Sequence, residues 1–415
     1  MHDRASGSRT VPAVFAPAAL GPVTLRNRII KSATFEGRTR YRVVTDELIE
    51  FHCRVAAGGV GMSTVAYCAV SPEGSTDGHT IVLTPEAAPG LRRLTDAIHE
   101  HGALASAQIG HAGPVANAAA TGHPALAPTR FFSPLAMRWT RAATEDDIAR
   151  VTRAFADGAR LVAGCGFDAV EVHLGHNYLL SAFLSPKLNR RDDRYGGSLE
   201  RRAAFPREVL AAVREAVGDR VAVLAKLNMA DGVRGGLWLD ESVPLAQLLE
   251  SDGVLDALVL TGGSSLANPM YLFRGEAPVA EMAATMPRAT RAAFRLVAPR
   301  MMPAYPFEEA FFLPYARQFR EALSLPLVLL GGITRLATIE AALAEGFDFV
   351  AMARALLREP DLVARMERGE AAPSRCVHCN KCMPTIYRGT RCVLVEGPDL
   401  AGSRTVPVGV SALGS

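Results

Sequence analysis

Eight short apolar runs, each followed by a longer stretch of helical period, constrain this chain more than any other feature of its sequence. The runs are RIIKSAT (28–34), VGMSTVAY (60–67), ALASAQI (103–109), DAVEVH (168–173), VAVLAKL (221–227), DALVLT (256–261), PLVLLG (326–331) and DFVAMA (348–353). Near-continuous apolar strands are what a parallel sheet covered on both faces requires, because neither face meets water. TEDDIARVTRAFADGARLVAGCG (144–166) is the clearest helix, with Thr144 as N-cap, acids in its first turn and a glycine stop. EPDLVARMERG (359–369) reads as another. Eight strand–helix units predict an α/β fold, a (β/α)8 TIM barrel over residues 1–370, with a cysteine-rich C-terminal extension over 371–415. A doubly wound sheet would carry a Gly-rich phosphate loop after its first strand. No GxGxxG follows any run, so neither that sheet nor an appended dinucleotide-binding domain is expected.

The 415 residues are 49% hydrophobic and 21% charged, enough apolar chain for a full core. The net charge of +3 is spread without a basic block, which argues against a nucleic-acid partner. No run of about 18 apolar residues is present, so no membrane span is expected. The polar start MHDRASGSRT lacks the apolar core of a signal peptide, and a cytoplasmic location follows as the expectation. Two insertions interrupt the rhythm, at about 174–198 and 264–309. Both follow the carboxyl ends of strands, where barrels build their active sites. The second reads equally as a lid or substrate wall and as packing or a homo-oligomer contact.

The densest chemistry lies in EVHLGHNYLLSAFLSPKLNRRDDRYGGSLERR (171–202). His173 stands at the carboxyl end of the fourth run, His176 three residues on, and Tyr178 two beyond. Two adjacent imidazoles can donate to one oxygen, polarising a carbonyl and stabilising an enolate. A phenol beside them can deliver a proton to carbon. HxxH alone also fits a metal pair or chance. HxxHxY at a strand end, followed by NxRxDxYGGS, is far more specific.

That combination resembles the old yellow enzyme family of flavin barrels, and the likeness runs from FAPAALGPVTLRNRI (15–29) to the last strand and its helix. The resemblance implies FMN as cofactor, NAD(P)H as reductant, and a small electron-poor alkene as substrate. It makes His173 and His176 the substrate-binding pair and Tyr178 the proton donor. Asn177 stands where the family usually has glycine. Asn189, Arg191, Asp193, Tyr195, Gly196 and Gly197 match the family's loop signature and read as architecture. Gln108 falls where a glutamine bonds the flavin's pyrimidine edge. Lys226 replaces the usual arginine near the anionic edge of reduced flavin. Gly331 and Gly332 offer amides to the phosphate, and Arg354 its counter-charge, with Ala353 in place of a glycine. Ser32, Ala33 and Thr34 line the ring edge by backbone. Phe35 and Tyr67 replace the family's smaller flavin neighbours, which puts substrate preference in question.

Of seven cysteines, Cys53, Cys68 and Cys165 sit singly in apolar stretches and read as core thiols. Cys376, Cys379, Cys382 and Cys392 crowd into CVHCNKCMPTIYRGTRC, a set suited to a 4Fe-4S cluster, to zinc, or to free thiols. The CxxCNxC loop resembles that of trimethylamine dehydrogenase and 2,4-dienoyl-CoA reductase, with a shorter gap to the fourth cysteine. Three functions are therefore carried forward. The first is an FMN ene-reductase. The second is an iron–sulfur flavoprotein dehydrogenase serving a separate electron-carrier protein. The third is a flavin-binding protein of low turnover.

Overall fold

In the computed structural model, residues 13–39, 42–133, 138–370 and 372–396 are described. Eight parallel strands close into a barrel: β1 (Ile29–Lys31), β2 (Met62–Ala69), β3 (Leu104–Gly110), β4 (Ala169–Leu174), β5 (Ala222–Ala230), β6 (Ala257–Gly262), β7 (Leu327–Leu330) and β8 (Phe349–Met352). Closure is made by β1, which pairs with β8 on one side and β2 on the other. Each of the eight apolar runs supplies one strand. Around them pack α1 (Asp46–Ala57), α2 (Ala88–Glu100), α3 (Glu145–Gly164), α4 (Leu199–Val217), α5 (Leu239–Ser251), α6 (Leu313–Ala322), α7 (Leu336–Ala344) and α8 (Leu362–Glu367).

Local chemistry explains the helix ends. Thr144 and Asp147 form a capping box at the start of α3. The Thr144 hydroxyl accepts from the Asp147 N–H at 3.2 Å, and the Asp147 carboxylate accepts from the Thr144 N–H at 2.9 Å. The helix expected over 359–369 begins only at Leu362, because Glu359 and Pro360 separate it from a one-turn helix, Arg354–Arg358. Pro360 favours an extended residue before it, which breaks the run.

Alternation along the strands splits the apolar residues into two layers. Val170, Val172, Val223, Ala225, Leu258 and Leu260 face the helices. Ala169, Ala222, Leu224, Ala257, Val259, Val328 and Phe349 fill the barrel's interior. That interior is closed below by an N-terminal hairpin (Ala18–Leu20 with Val23–Leu25), whose Leu20 and Leu25 are fully buried against it. Further up the same inward rows the residues turn polar: Gln108, Glu171, His173, Lys226, Asn228 and Thr261, all buried. The upper rows need a ligand or one another, because buried polar groups without partners are costly.

The insertion after β6 folds into three helices, Pro269–Phe273, Val279–Thr285 and Arg288–Met301. None of the described helices is long and apolar enough to cross a membrane.

Candidate active site

Strand register brings the polar rows together. Glu171 is level with Gln108 of β3, and His173 with Lys226 of β5. One Glu171 oxygen, Oε1, accepts from Gln108 Nε2 at 2.7 Å and from Lys226 Nζ at 2.8 Å. Lys226 Nζ also lies 3.4 Å from Ser32 Oγ, across the barrel axis at the end of β1. The two residues expected at the flavin's pyrimidine edge are thus held by a single carboxylate. Glu171 itself was missed in the sequence, although it lies two residues before His173 and so on the same strand face.

Beyond this layer stands an aromatic wall. The rings of His173 and His176 are 5.0 Å apart, and His173 meets Tyr178 edge-on at 4.6 Å. Tyr67 meets Tyr178 edge-on at 5.4 Å, and its own hydroxyl donates to the Gly74 carbonyl at 2.7 Å. Phe35 and Ala33 pack into the same cluster. His176 and Asn177 both adopt left-handed backbone, at φ 60° and 59°. Asparagine tolerates that conformation better than most side chains, which accounts for Asn177 in a glycine's place. The turn is fixed by Asn228, whose Oδ1 accepts from the His176 N–H at 3.1 Å. Asn228 Nδ2 in turn donates to the buried Asp231 carboxylate at 2.8 Å and to the Gly263 carbonyl at 2.9 Å. His176 Nε2 meets Thr261 Oγ1 at 3.0 Å.

Both histidines are held neutral. Burial, then the neighbouring His176 and the Lys226 ammonium, push His173 far below the ordinary imidazole range. Burial and Lys226 push His176 down to about 3. Nδ1 of His173 is buried without a hydrogen-bond partner, so one strong polar atom is left for a bound molecule.

The expected phosphate end lies after β7 and β8. Gly331 and Gly332 have φ 114° and 77°, and a Cβ on either would strike Phe312 or Phe311 at 2.6 Å. Only glycine fits that turn. Arg354 is half-buried, and part of its guanidinium is engaged elsewhere: it donates to the Arg274 carbonyl at 3.0 Å and to Asn380 Oδ1 in the cysteine loop. These features fit FMN. Gln108, Lys226 and Ser32 would meet the ring edge, the glycine turn and Arg354 the phosphate, and the open His173 nitrogen whatever is bound above.

Cys376, Cys379, Cys382 and Cys392 line one pocket with Arg354, Arg358, His378 and Asn380. Arg358 donates toward Cys392 Sγ at 3.6 Å. Burial raises the Cys382 thiol to about 12, and Arg354 opposes that rise. Among the described residues, no three of His, Cys, Asp and Glu stand close enough to hold one metal ion. Of the lone cysteines, Cys68 and Cys165 are buried, while Cys53 is only half-buried. The extension also touches the flavin side of the barrel: the Thr390 N–H donates to the Glu36 carbonyl at 2.7 Å, and its hydroxyl to the Phe35 carbonyl.

A parallel barrel with this polar mouth defines a flavin-dependent oxidoreductase, the class the HxxHxY loop resembles. The profile of the NADH:flavin oxidoreductase / NADH oxidase family matches residues 13–254, and the chain belongs to that family. Its cofactor is FMN and its reductant NAD(P)H. The chain is 59% identical over 383 residues to a 4,4'-dithiodibutanoate disulfide reductase of Rhodococcus erythropolis, covering 92% of this chain and 95% of that one. It is 35% identical to a metal reductase of Desulforamulus reducens, covering 90% of this chain and 52% of that one. It therefore spans about half the length of that relative. Among solved structures, a 2-naphthoyl-CoA reductase complex superposes with a TM-score of 0.77 at 25% identity, over 92% of this chain and 56% of that one.

Proposed function

We propose that this enzyme reduces a small organic disulfide bearing carboxylate ends, with NAD(P)H as electron source. The observation that carries the reading is the neutral His173–His176 pair set against Tyr178, with one His173 nitrogen open. The 59% identical disulfide reductase supports the substrate class. Bound FMN supplies an electron pair taken from NAD(P)H. Two electrons break the S–S bond and, with two protons, give two thiols. Tyr178 delivers one of those protons to a departing sulfur, and solvent delivers the other. An N–H from each histidine steadies the charge that builds on the reacting group. Gln108, Lys226 and Ser32 bind the flavin edge, with Glu171 fixing the first two in place. Gly331, Gly332 and Arg354 hold its phosphate.

The same wall supports a second reading, reduction of an electron-poor alkene. Two neutral donors and a phenol would bind an enolate oxygen and protonate carbon. For the cysteine pocket we infer a 4Fe-4S cluster. Four thiols lining one pocket supply the four-thiolate ligand set that such a cluster takes. Such a cluster would let an electron-carrier protein exchange electrons with the flavin.

Anaerobic reduction with NAD(P)H, followed by mixing with 4,4'-dithiodibutanoate or with 2-cyclohexenone, tests the choice. Disulfide turnover predicts two thiols per NAD(P)H and rapid flavin reoxidation. Reoxidation by the enone alone would overturn the disulfide reading in favour of the alkene.

A further inference from the structure

We propose that Arg274 is an anion clamp on the rim of this site and takes one carboxylate of the substrate, an assignment that rests on the disulfide reading above. Arg274 ends the first short helix of the β6 insertion, Pro269–Phe273. Its guanidinium carbon lies 5.3 Å from the ring centre of Tyr271, 5.6 Å from Tyr305 and 5.1 Å from Phe311. Those rings belong to the barrel's carboxyl rim. Phe311 lies against Gly331 and Gly332 after β7, and Tyr271 against Gly232 after β5. The start of the same insertion touches the histidine wall, where the Ser265 N–H donates to the His176 carbonyl at 3.1 Å.

Two features separate Arg274 from an ordinary surface cation. The first is that its charge is unmatched. Among the described residues no carboxylate pairs with it, its side chain has no hydrogen-bond acceptor, and its Nε is buried without one. Aromatic stacking covers the faces of a guanidinium and leaves its in-plane N–H fork, the geometry that grips a carboxylate through two bonds. The second is that its backbone is held. Arg274 has φ 40°, a left-handed conformation that strains a non-glycine residue. Its carbonyl accepts from Arg354 at 3.0 Å and from Asn380 Nδ2 at 3.1 Å, and Asn380 is itself buried. The chain therefore fixes a strained residue so as to present an unpaired cation beside the active site. A dicarboxylate disulfide offers the matching charge.

The test uses the holoenzyme with Arg274→Met, which keeps a long apolar side chain against the rings, and Arg274→Lys, which keeps the charge. Turnover of the dithiodicarboxylate and of its uncharged dimethyl ester is compared, FMN occupancy is read from absorbance, and glutarate binding is titrated calorimetrically. Loss of a charge-assisted contact predicts a KM for the dicarboxylate raised about 10–100-fold in Arg274→Met. The ester should change less than about twofold, occupancy should hold, and Arg274→Lys should recover part of the loss. Equal losses on acid and ester would overturn the clamp and make Arg274 structural. Lost FMN with an unchanged acid-to-ester ratio would overturn it in favour of a flavin-phosphate ligand. If the wild type reduces neither disulfide, the disulfide reading fails by itself. The clamp then stands if glutarate binding is lost in Arg274→Met, and falls if binding is unchanged.

Discussion

Glu171 and Lys226 form an ion pair of 2.8 Å sealed inside the barrel, with side-chain exposures of 4% and 2%. Such a pair is weak evidence of net stabilisation, but breaking it strands a charge at a cost of about 3–5 kcal/mol. Glu171→Gln should therefore lower unfolding free energy by that order in urea melts of the apoprotein. It should also weaken FMN binding, because a neutral amide oxygen holds Gln108 and Lys226 less firmly than the carboxylate does. Adding Lys226→Met should restore most of the stability but none of the FMN affinity. A Glu171→Gln protein as stable as wild type would mean that water or another group already satisfies Lys226.

The depressed histidines give a pH signature. Unfolded imidazoles protonate below about 6.5, whereas folded His176 stays neutral down to about 3, and His173 is shifted in the same direction. Below 6.5 the unfolded state thus binds protons that the folded state refuses. Stability must fall as pH drops, by about 1.4 kcal/mol per unit for each such group. Above 6.5 these two contribute no slope. The Kd of a phenolic ligand should stay flat from pH 5 to 8. A break near 6.5 would show that a site histidine titrates after all.

The strands were readable because a barrel strand is buried on both faces, so its apolar run survives in the sequence without its neighbours. The wall of His173, His176 and Tyr178 was readable for a related reason: its members lie within six residues on one strand end. What stayed hidden depends on register between distant strands. Thr261 reaches His176 across 85 positions, and Lys226 reaches Glu171 across 55. Arg274 was passed over because its three aromatic neighbours come from separate segments. Arg354 was expected at the phosphate alone, and nothing in its local sequence foretold its bond to Asn380.

The cysteine pocket makes a compositional prediction. Anaerobically purified protein should carry about four irons and matching labile sulfide per chain, with little zinc. Cys382→Ser should remove most of the iron while leaving FMN bound. Because Thr390 bonds the Glu36 and Phe35 carbonyls, the same variant should also shift the flavin absorption bands by a few nanometres. Full iron content in Cys382→Ser would exclude this thiol as a ligand.

The sharpest prediction concerns Tyr178. Its ring packs edge-on against both His173 and Tyr67, so Tyr178→Phe keeps the aromatic contacts and removes only the hydroxyl. Reduction of the flavin by NAD(P)H needs no proton from this phenol, so that half-reaction should proceed within about twofold of wild type. Transfer to the acceptor needs a proton at the far side of the bond being reduced, and loss of a general acid slows such a step by about 10²–10⁴-fold. A disulfide and an enone should respond differently. A thiolate is a stable leaving group that water can protonate later, so disulfide reduction should lie at the low end of that range. Carbon must be protonated as the double bond is lost, so enone reduction should lie at the high end. Stopped-flow traces of the two half-reactions with both acceptors measure each rate directly. If oxidation by the enone is unchanged in Tyr178→Phe, the proton comes from water or another residue, and the role of Tyr178 reduces to packing against His173.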